Sequence, residues 1–254
     1  MLKRSRCPNW PLLLAFIFCQ WGQAQADAFE WSITDAQLLY GDGFKLGDSQ
    51  RATVTLEHAD GWRYGDNYLF VDLINHLEHG GVEVEAYGEW YTRLSLKKVF
   101  GWDLRLPGVR DVLPSFGFNA GSRPTDHPFR AYLGGLGIDF DVPGFDYLQL
   151  GLFAYQAEGV SGAGMQVTPV WSVPFSLGGL KFKFRGFLDY ATGGANASGS
   201  WHLLTQPQLL LDVGAFYGSP DAFMAGIEWW VWINKYGVQG QNESVPQACL
   251  LYFF

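Results

Sequence analysis

Charge, cysteine and long apolar runs are all scarce in this chain. Charged residues make up 17% of its 254 residues, against roughly 25% in an average globular chain. With 48% hydrophobic residues, the composition excludes an intrinsically disordered protein, which combines low hydrophobicity with high charge. Three cysteines are present, Cys7, Cys19 and Cys249, and none stands in a Cys/His zinc spacing. The five histidines (58, 76, 79, 127 and 202) form no metal-ligand spacing either. A G-x-S-x-G nucleophile elbow is missing. Beyond the N-terminus no run of 18 or more apolar residues occurs, so no transmembrane helix is expected.

The N-terminus has the three parts of a signal peptide in order. Lys3, Arg4 and Arg6 form a basic region, PLLLAFIF (11–18) an apolar one, and Ala24-Gln25-Ala26 a small-x-small cleavage site. Residues 1–26 are therefore expected to be removed, leaving 27–254 as the mature chain. That chain carries 14 basic and 25 acidic residues, a formal −11, which argues against a nucleic-acid polymer as partner. Cys249 remains as its one cysteine and has no internal disulfide partner.

What the mature chain does have is period-two alternation. Segments of about ten residues recur between Gly/Pro/Asn/Asp clusters. We read twelve: near 29–40, 51–59, 64–75, 82–96, 112–121, 130–142, 146–156, 165–173, 180–190, 201–214, 222–234 and 247–254. In KFKFRGFLDY (181–190), Lys181, Lys183, Arg185, Phe187 and Asp189 oppose Phe182, Phe184, Gly186, Leu188 and Tyr190. A membrane barrel turns the apolar register outward to lipid and the charged register inward. These segments are too many and too long for a sandwich, whose strands average about 5–6 residues. The expected fold is all-β, a transmembrane antiparallel β-barrel of twelve strands.

The connections fit that fold. ADGW, DVPGF and SLGG are short, whereas most on the other side are longer and more polar. The 97–111 connection is long where a short turn is expected. Ala248, Leu250, Tyr252 and Phe254 share one face at the C-terminus. An aromatic last residue with apolar residues two and four back resembles the signal read by the outer-membrane barrel-assembly machinery. The expected location is the bacterial outer membrane, in contact with its lipid and lipopolysaccharide. Trp229, Tyr190 and Tyr252 are expected to form lipid-facing girdles.

Several stretches, taken in order, resemble the Tsx/OmpK family of nucleoside-specific channel-forming outer-membrane proteins, and the OmpK branch more closely. They include WSITDAQLLYGDGF (31–44), TLEHADGWRYGDNYLFVDL (55–73), YLGGLGIDFDVPGFDYLQLGLFAYQ (132–156) and GIEWWVWINKYGVQGQNESVPQ (226–247). The resemblance implies a twelve-stranded barrel, passive passage of nucleosides or deoxynucleosides, and outer loops used as receptors by phage or colicins. It places Phe44 at a pore aromatic, Glu57 at a lumen acid and Phe70 beside it.

The inward registers supply further candidates. Phe70, Tyr87 and Trp230 offer ring faces to a base, Glu57, Asp72, Glu89, Asp189 and Glu228 offer acceptors, and Arg93, Lys183 and Arg185 offer donors. A nucleoside has a flat base, a hydroxylated ribose and no phosphate. It calls for stacking surfaces and hydrogen bonds more than a strong field. The basic row of 181–185 is expected to face the acidic inner face of strands 82–93 and 222–234. No cofactor, metal or catalysis is expected. The alternatives are a surface receptor barrel without specific transport and, further off, a barrel hydrolase with a Ser/His pair at the lumen rim.

Overall fold

A computed structural model of the protein describes residues 29–78, 83–102, 106–122, 128–193 and 199–254. Residues 1–26, read as the signal peptide, lie outside the described residues. So do His79 and His127.

Strands β1 (Trp31–Asp42), β2 (Gln50–Trp62), β3 (Gly65–His76) and β4 (Glu83–Leu94) form an antiparallel meander. A short helix, α1 (Leu96–Phe100), precedes β5 (Val109–Ser122). The meander continues through β6 (Phe129–Phe140), β7 (Tyr147–Ala157), β8 (Gly164–Leu177) and β9 (Leu180–Ala191). Then follow β10 (His202–Thr205), β11 (Gln208–Asp212), β12 (Phe223–Ile233) and β13 (Glu243–Phe253). β13 pairs with β1 from Asp35↔Phe253 to Gly41↔Gln247, which closes the sheet into a barrel and leaves no edge strand.

The barrel has twelve spans, because β10 and β11 are two halves of one. Both lie between β9 and β12. The break falls at Gln206-Pro207, where proline has no N–H to give the ladder. Gly186 lies opposite, and a Cβ there would meet Gln206 O and Pro207 Cα at 2.8 Å each. The break does not shift the register. Thr205 faces Leu188 and Gln208 faces Arg185, so Gln208 stays on the inner wall beside Arg185.

Along β13, buried Glu243, Val245, Gln247, Cys249 and Leu251 alternate with exposed Ser244, Pro246, Ala248, Leu250 and Tyr252. The outward register carries large exposed apolar residues, among them Val54, Leu56, Leu73, Trp90, Phe116, Leu136, Ile227 and Trp229. This inverted pattern, apolar outside and polar inside, is that of a membrane barrel. No helix among the described residues is long and apolar enough to cross a membrane.

The interior is more tightly filled than twelve strands require. One apolar cluster joins Ala131, Leu133, Phe153, Tyr155, Ala157 and Ala191, with Tyr91 packed against it. A second joins Leu39, Leu210, Met224, Cys249 and Leu251. Both sit on inward registers, with the polar groups between them. Gly135 makes close packing possible at the first cluster: a Cβ there would fall onto the carbonyl oxygen of Leu152. Gly135→Ala is expected to destabilise the barrel by about 1–3 kcal/mol, read as a lower temperature of the heat-dependent gel shift.

Residue 29, the first described, and Phe254 lie at one end of the barrel, called here the terminal end; the opposite end is the loop end. Two terminal-end connections are two-residue turns, at 63–64 and 178–179. The long connection between β4 and β5 is built on α1. Ser95 caps the helix by accepting from Lys98 N at 2.9 Å, and left-handed Gly101 (φ 69°) ends it. The Ser95 hydroxyl also donates to Asp111, tying the helix to β5. The 213–222 connection is long as well, its 3-10 turn at Gly214–Tyr217 held by Asp212, which accepts from Ala215 N and Asp221 N at 3.0 and 3.1 Å.

Candidate functional site in the barrel lumen

Arg185, at the middle of β9, reaches across the lumen. Its Nη2 donates to Glu57 Oε2 on β2 at 2.8 Å, and its Nη1 lies 3.4 Å from Asp35 Oδ2 on β1. On its own side Nε donates to Gln208 Oε1 at 2.7 Å. The guanidinium fork lets one side chain serve three partners on three strands. All three ionic side chains are mostly buried.

Amides extend this bridge into a network. Gln37 Nε2 donates to Glu57 at 2.9 Å and to Asp35 at 3.1 Å. Gln208 Nε2 donates to Gln37 Oε1 at 2.9 Å and to Glu228 Oε2 at 2.8 Å. Gln247 Nε2 donates to the other Glu228 oxygen at 2.8 Å, and Tyr68 Oη to Glu57 Oε1 at 2.6 Å. The sequence reading missed Asp35, Gln37, Gln208 and Gln247. Their inward parity opposite Leu38, Leu209 and Ala248 was the available signal.

The expected counterpart of the basic row is corrected here. Arg185 pairs directly with β1 and β2, and meets Glu228 of β12 through Gln208. Lys183 sits toward the terminal end, 3.5 Å from Asp146 and 3.9 Å from Asp221. Arg93 also lies toward that end. It holds Asp66 bidentately at 2.6 and 2.8 Å and Asp139 at 2.8 Å, stitching β3, β4 and β6. It bonds neither Glu89 nor the Arg185 network.

Three further lumen carboxylates, Asp72, Glu89 and Asp189, accept from neutral donors. Thr55 Oγ1 donates to Asp72 at 2.5 Å. Tyr87 Oη and Asn119 Nδ2 donate to Glu89 at 2.5 and 3.0 Å. Thr168 Oγ1 and Gln166 Nε2 donate to Asp189 at 2.5 and 3.1 Å. Phe70 lies between Tyr68 and Tyr87, with ring centroids 6.1 and 6.0 Å away. No group of three or more His, Cys, Asp or Glu among the described residues is arranged to hold a metal.

Phe44 belongs to the β1–β2 loop, which folds down into the mouth at the loop end. The ring is buried, 5.8 Å from Trp230, with the Arg51 guanidinium 4.4 Å above it. Glu243 pins two loops there. One oxygen accepts from Lys45 N and Leu46 N at 2.9 and 3.3 Å. The other accepts from Lys235 Nζ at 2.7 Å and Trp230 Nε1 at 3.0 Å. Lys235 is fully buried among the rings of Trp230, Trp232 and Tyr236. Burial lowers its pKa, while the Glu243 carboxylate opposes that shift.

A cavity of about 30 Å³ lies beneath, lined by Phe44, Arg51, Thr55, Asp72, Glu228, Trp230 and Gln247 among others. That volume suits a water molecule. A pocket for a small organic ligand is usually about 300 Å³ or more, so a solute passes here only if these side chains and the Arg185 bridge move. Of the sequence candidates, the structure brings Phe44, Asp72, Glu228 and Trp230 to this cavity, Glu57 and Arg185 to the bridge, and Phe70, Tyr87 and Glu89 to one wall. Asp189 lies on β9 beside Gln166 and Thr168 of β8, and Arg93 and Lys183 stand apart.

The strands form a closed twelve-span antiparallel barrel. Eight chains of solved structures match it. One is described as "KdgM porin in complex with disordered oligogalacturonate": the TM-score is 0.50 at 12% identity, over 88% of this chain and 99% of that one. No curated protein matches the sequence. Residues 36–241 match the family model described as a domain of unknown function, DUF5020, and the chain belongs to that family.

Proposed function

We propose that the protein is an outer-membrane channel that passes small solutes by facilitated diffusion, nucleosides being the class that the Tsx/OmpK resemblance implies. The observation that carries this reading is the cross-lumen network. A barrel serving only as a scaffold gains nothing from placing Arg185, Asp35, Glu57 and Glu228 at its centre, where apolar filling is as stable or more so. Polar groups and rings along the axis supply the weak, multiple contacts that passage needs. Phe70, Tyr87 and Trp230 are the proposed stacking surfaces for a base, and Phe254 the residue through which the assembly machinery takes the last strand.

The test is radiolabelled nucleoside uptake into liposomes carrying the folded protein. Uptake above that of empty liposomes is expected. Phe70→Ala is expected to weaken half-saturation about tenfold, since base–aromatic stacking contributes about 1–3 kcal/mol. Uptake equal to that of empty liposomes would exclude nucleosides.

A second reading is a surface receptor barrel. The closed lumen and the two loops pinned by Glu243 favour it, because ordered loops present a defined surface to a phage or bacteriocin. Binding to whole cells that survives Arg185 substitution, with no solute uptake in liposomes, would select it.

A further inference from the structure

Six carboxylates occupy the middle of the lumen: Asp35, Glu57, Asp72, Glu89, Asp189 and Glu228. Among the described residues, two cations stand close to them: Arg185, whose partners are Asp35 and Glu57, and Arg51, which lines the cavity with Asp72 and Glu228 and donates to the carbonyls of Leu46 and Asp48. The other four are oriented by hydroxyls and amides and pair with no cation among the described residues. Of the remaining inward cations, Lys181 is exposed at the terminal rim and the others are engaged near the two ends. Arg93 and Lys183 hold aspartates toward the terminal end. At the loop end, Lys235 pairs with Glu243.

A second observation points to the missing partner. Asn119 is 3% exposed on β5, and its Nδ2 donates to Glu89 and to Tyr87 Oη. Its Oδ1 has no hydrogen-bond partner. A buried acceptor without a donor is costly, and here it stands beside a carboxylate. A group that satisfies both carries donors and positive charge, as an ammonium or a hydrated cation does.

We propose that this lumen accepts cations and neutral solutes and rejects anions, with Asp72, Glu89, Asp189 and Glu228 setting the sign. Conduction of those solutes rests on the channel reading above; the sign of the lumen does not. Charged side chains at a constriction decide which ions enter, and low-dielectric walls focus their field. Acidic sugars, such as the oligogalacturonate named with the solved porin, and nucleotides are the classes excluded.

Two measurements decide it. In planar bilayers under a tenfold KCl gradient at about pH 9, high enough to ionise carboxyls that burial shifts upward, the reversal potential is expected to give a permeability several-fold higher for potassium than for chloride. The Asp72→Asn, Glu228→Gln double variant keeps the shapes, with the Gln247 amide turning its oxygen to accept from the new N–H, and is expected to move that ratio toward one. In detergent, the part of the tryptophan emission lost in Trp230→Phe is expected to be quenched by caesium and not by iodide. A ratio of one or below in the wild type, or iodide quenching equal to caesium quenching, overturns the proposal. A silent bilayer with caesium-selective quenching upholds it and removes the channel reading instead. If the double variant does not fold, the two wild-type measurements still decide.

Discussion

Arg185→Ala is expected to lower the stability of the folded barrel by about 3–5 kcal/mol, the range for removing one partner of a buried ion pair. The substitution leaves Asp35 and Glu57 side by side, joined by Gln37 and facing no cation. Gln208 also loses the guanidinium that fixes its carbonyl oxygen. The same change removes the side chain that spans the lumen, so channels that do insert are expected to conduct more than wild type. Urea unfolding in detergent reads the first effect and single-channel recording the second. A variant as stable as wild type, with unchanged conductance, would show that the bridge neither holds nor constricts the barrel.

Glu243→Ala has the second-largest expected effect, at the other level of the lumen. It strands Lys235, whose side chain is 1% exposed, and removes the acceptor for two backbone N–H groups of the β1–β2 loop. An unpaired buried ammonium costs about 3–5 kcal/mol, unless the 234–242 loop lifts and returns it to water. Asn234 and Tyr236 hold this loop in left-handed backbone conformations, which β-carbon-bearing residues adopt at a cost. The loop is therefore expected to open rather than the barrel to unfold. Protease cleavage within 235–242 should rise sharply while the transmembrane core stays resistant. Unchanged protection of the loop would contradict the pinning role given to Glu243.

The barrel was legible because lipid and lumen impose opposite demands on alternate residues. Leu56 and Leu73 had to face outward if Glu57 and Asp72 faced inward, and twelve such segments count the spans directly. The break at Pro207 was visible as a residue but not as a break, because the segment around it keeps its parity. The 97–111 connection was opaque for a different reason. Its order comes from one serine cap and one left-handed glycine, signals that a barrel pattern does not lead one to seek. Cross-lumen partners were the hardest to read. Parity gives the face of Arg185, but its height against Asp35 and Glu57 depends on strand stagger around the whole barrel. Neutral amides such as Gln208 and Gln247 carry no charge to draw notice, yet they hold Glu228 on both oxygens. Phe44 was reached through the family resemblance; its descent into the mouth comes from the Glu243 contacts of its loop.

The central claim is that a hydrogen-bonded side-chain network closes the part of the lumen that the two apolar clusters leave open. Single-channel recording of the purified, folded wild-type protein tests it most directly. The account predicts discrete conductance steps that shrink when nucleoside is added to the loop-end side. Membranes that remain silent with demonstrably inserted, heat-modifiable barrel would contradict it.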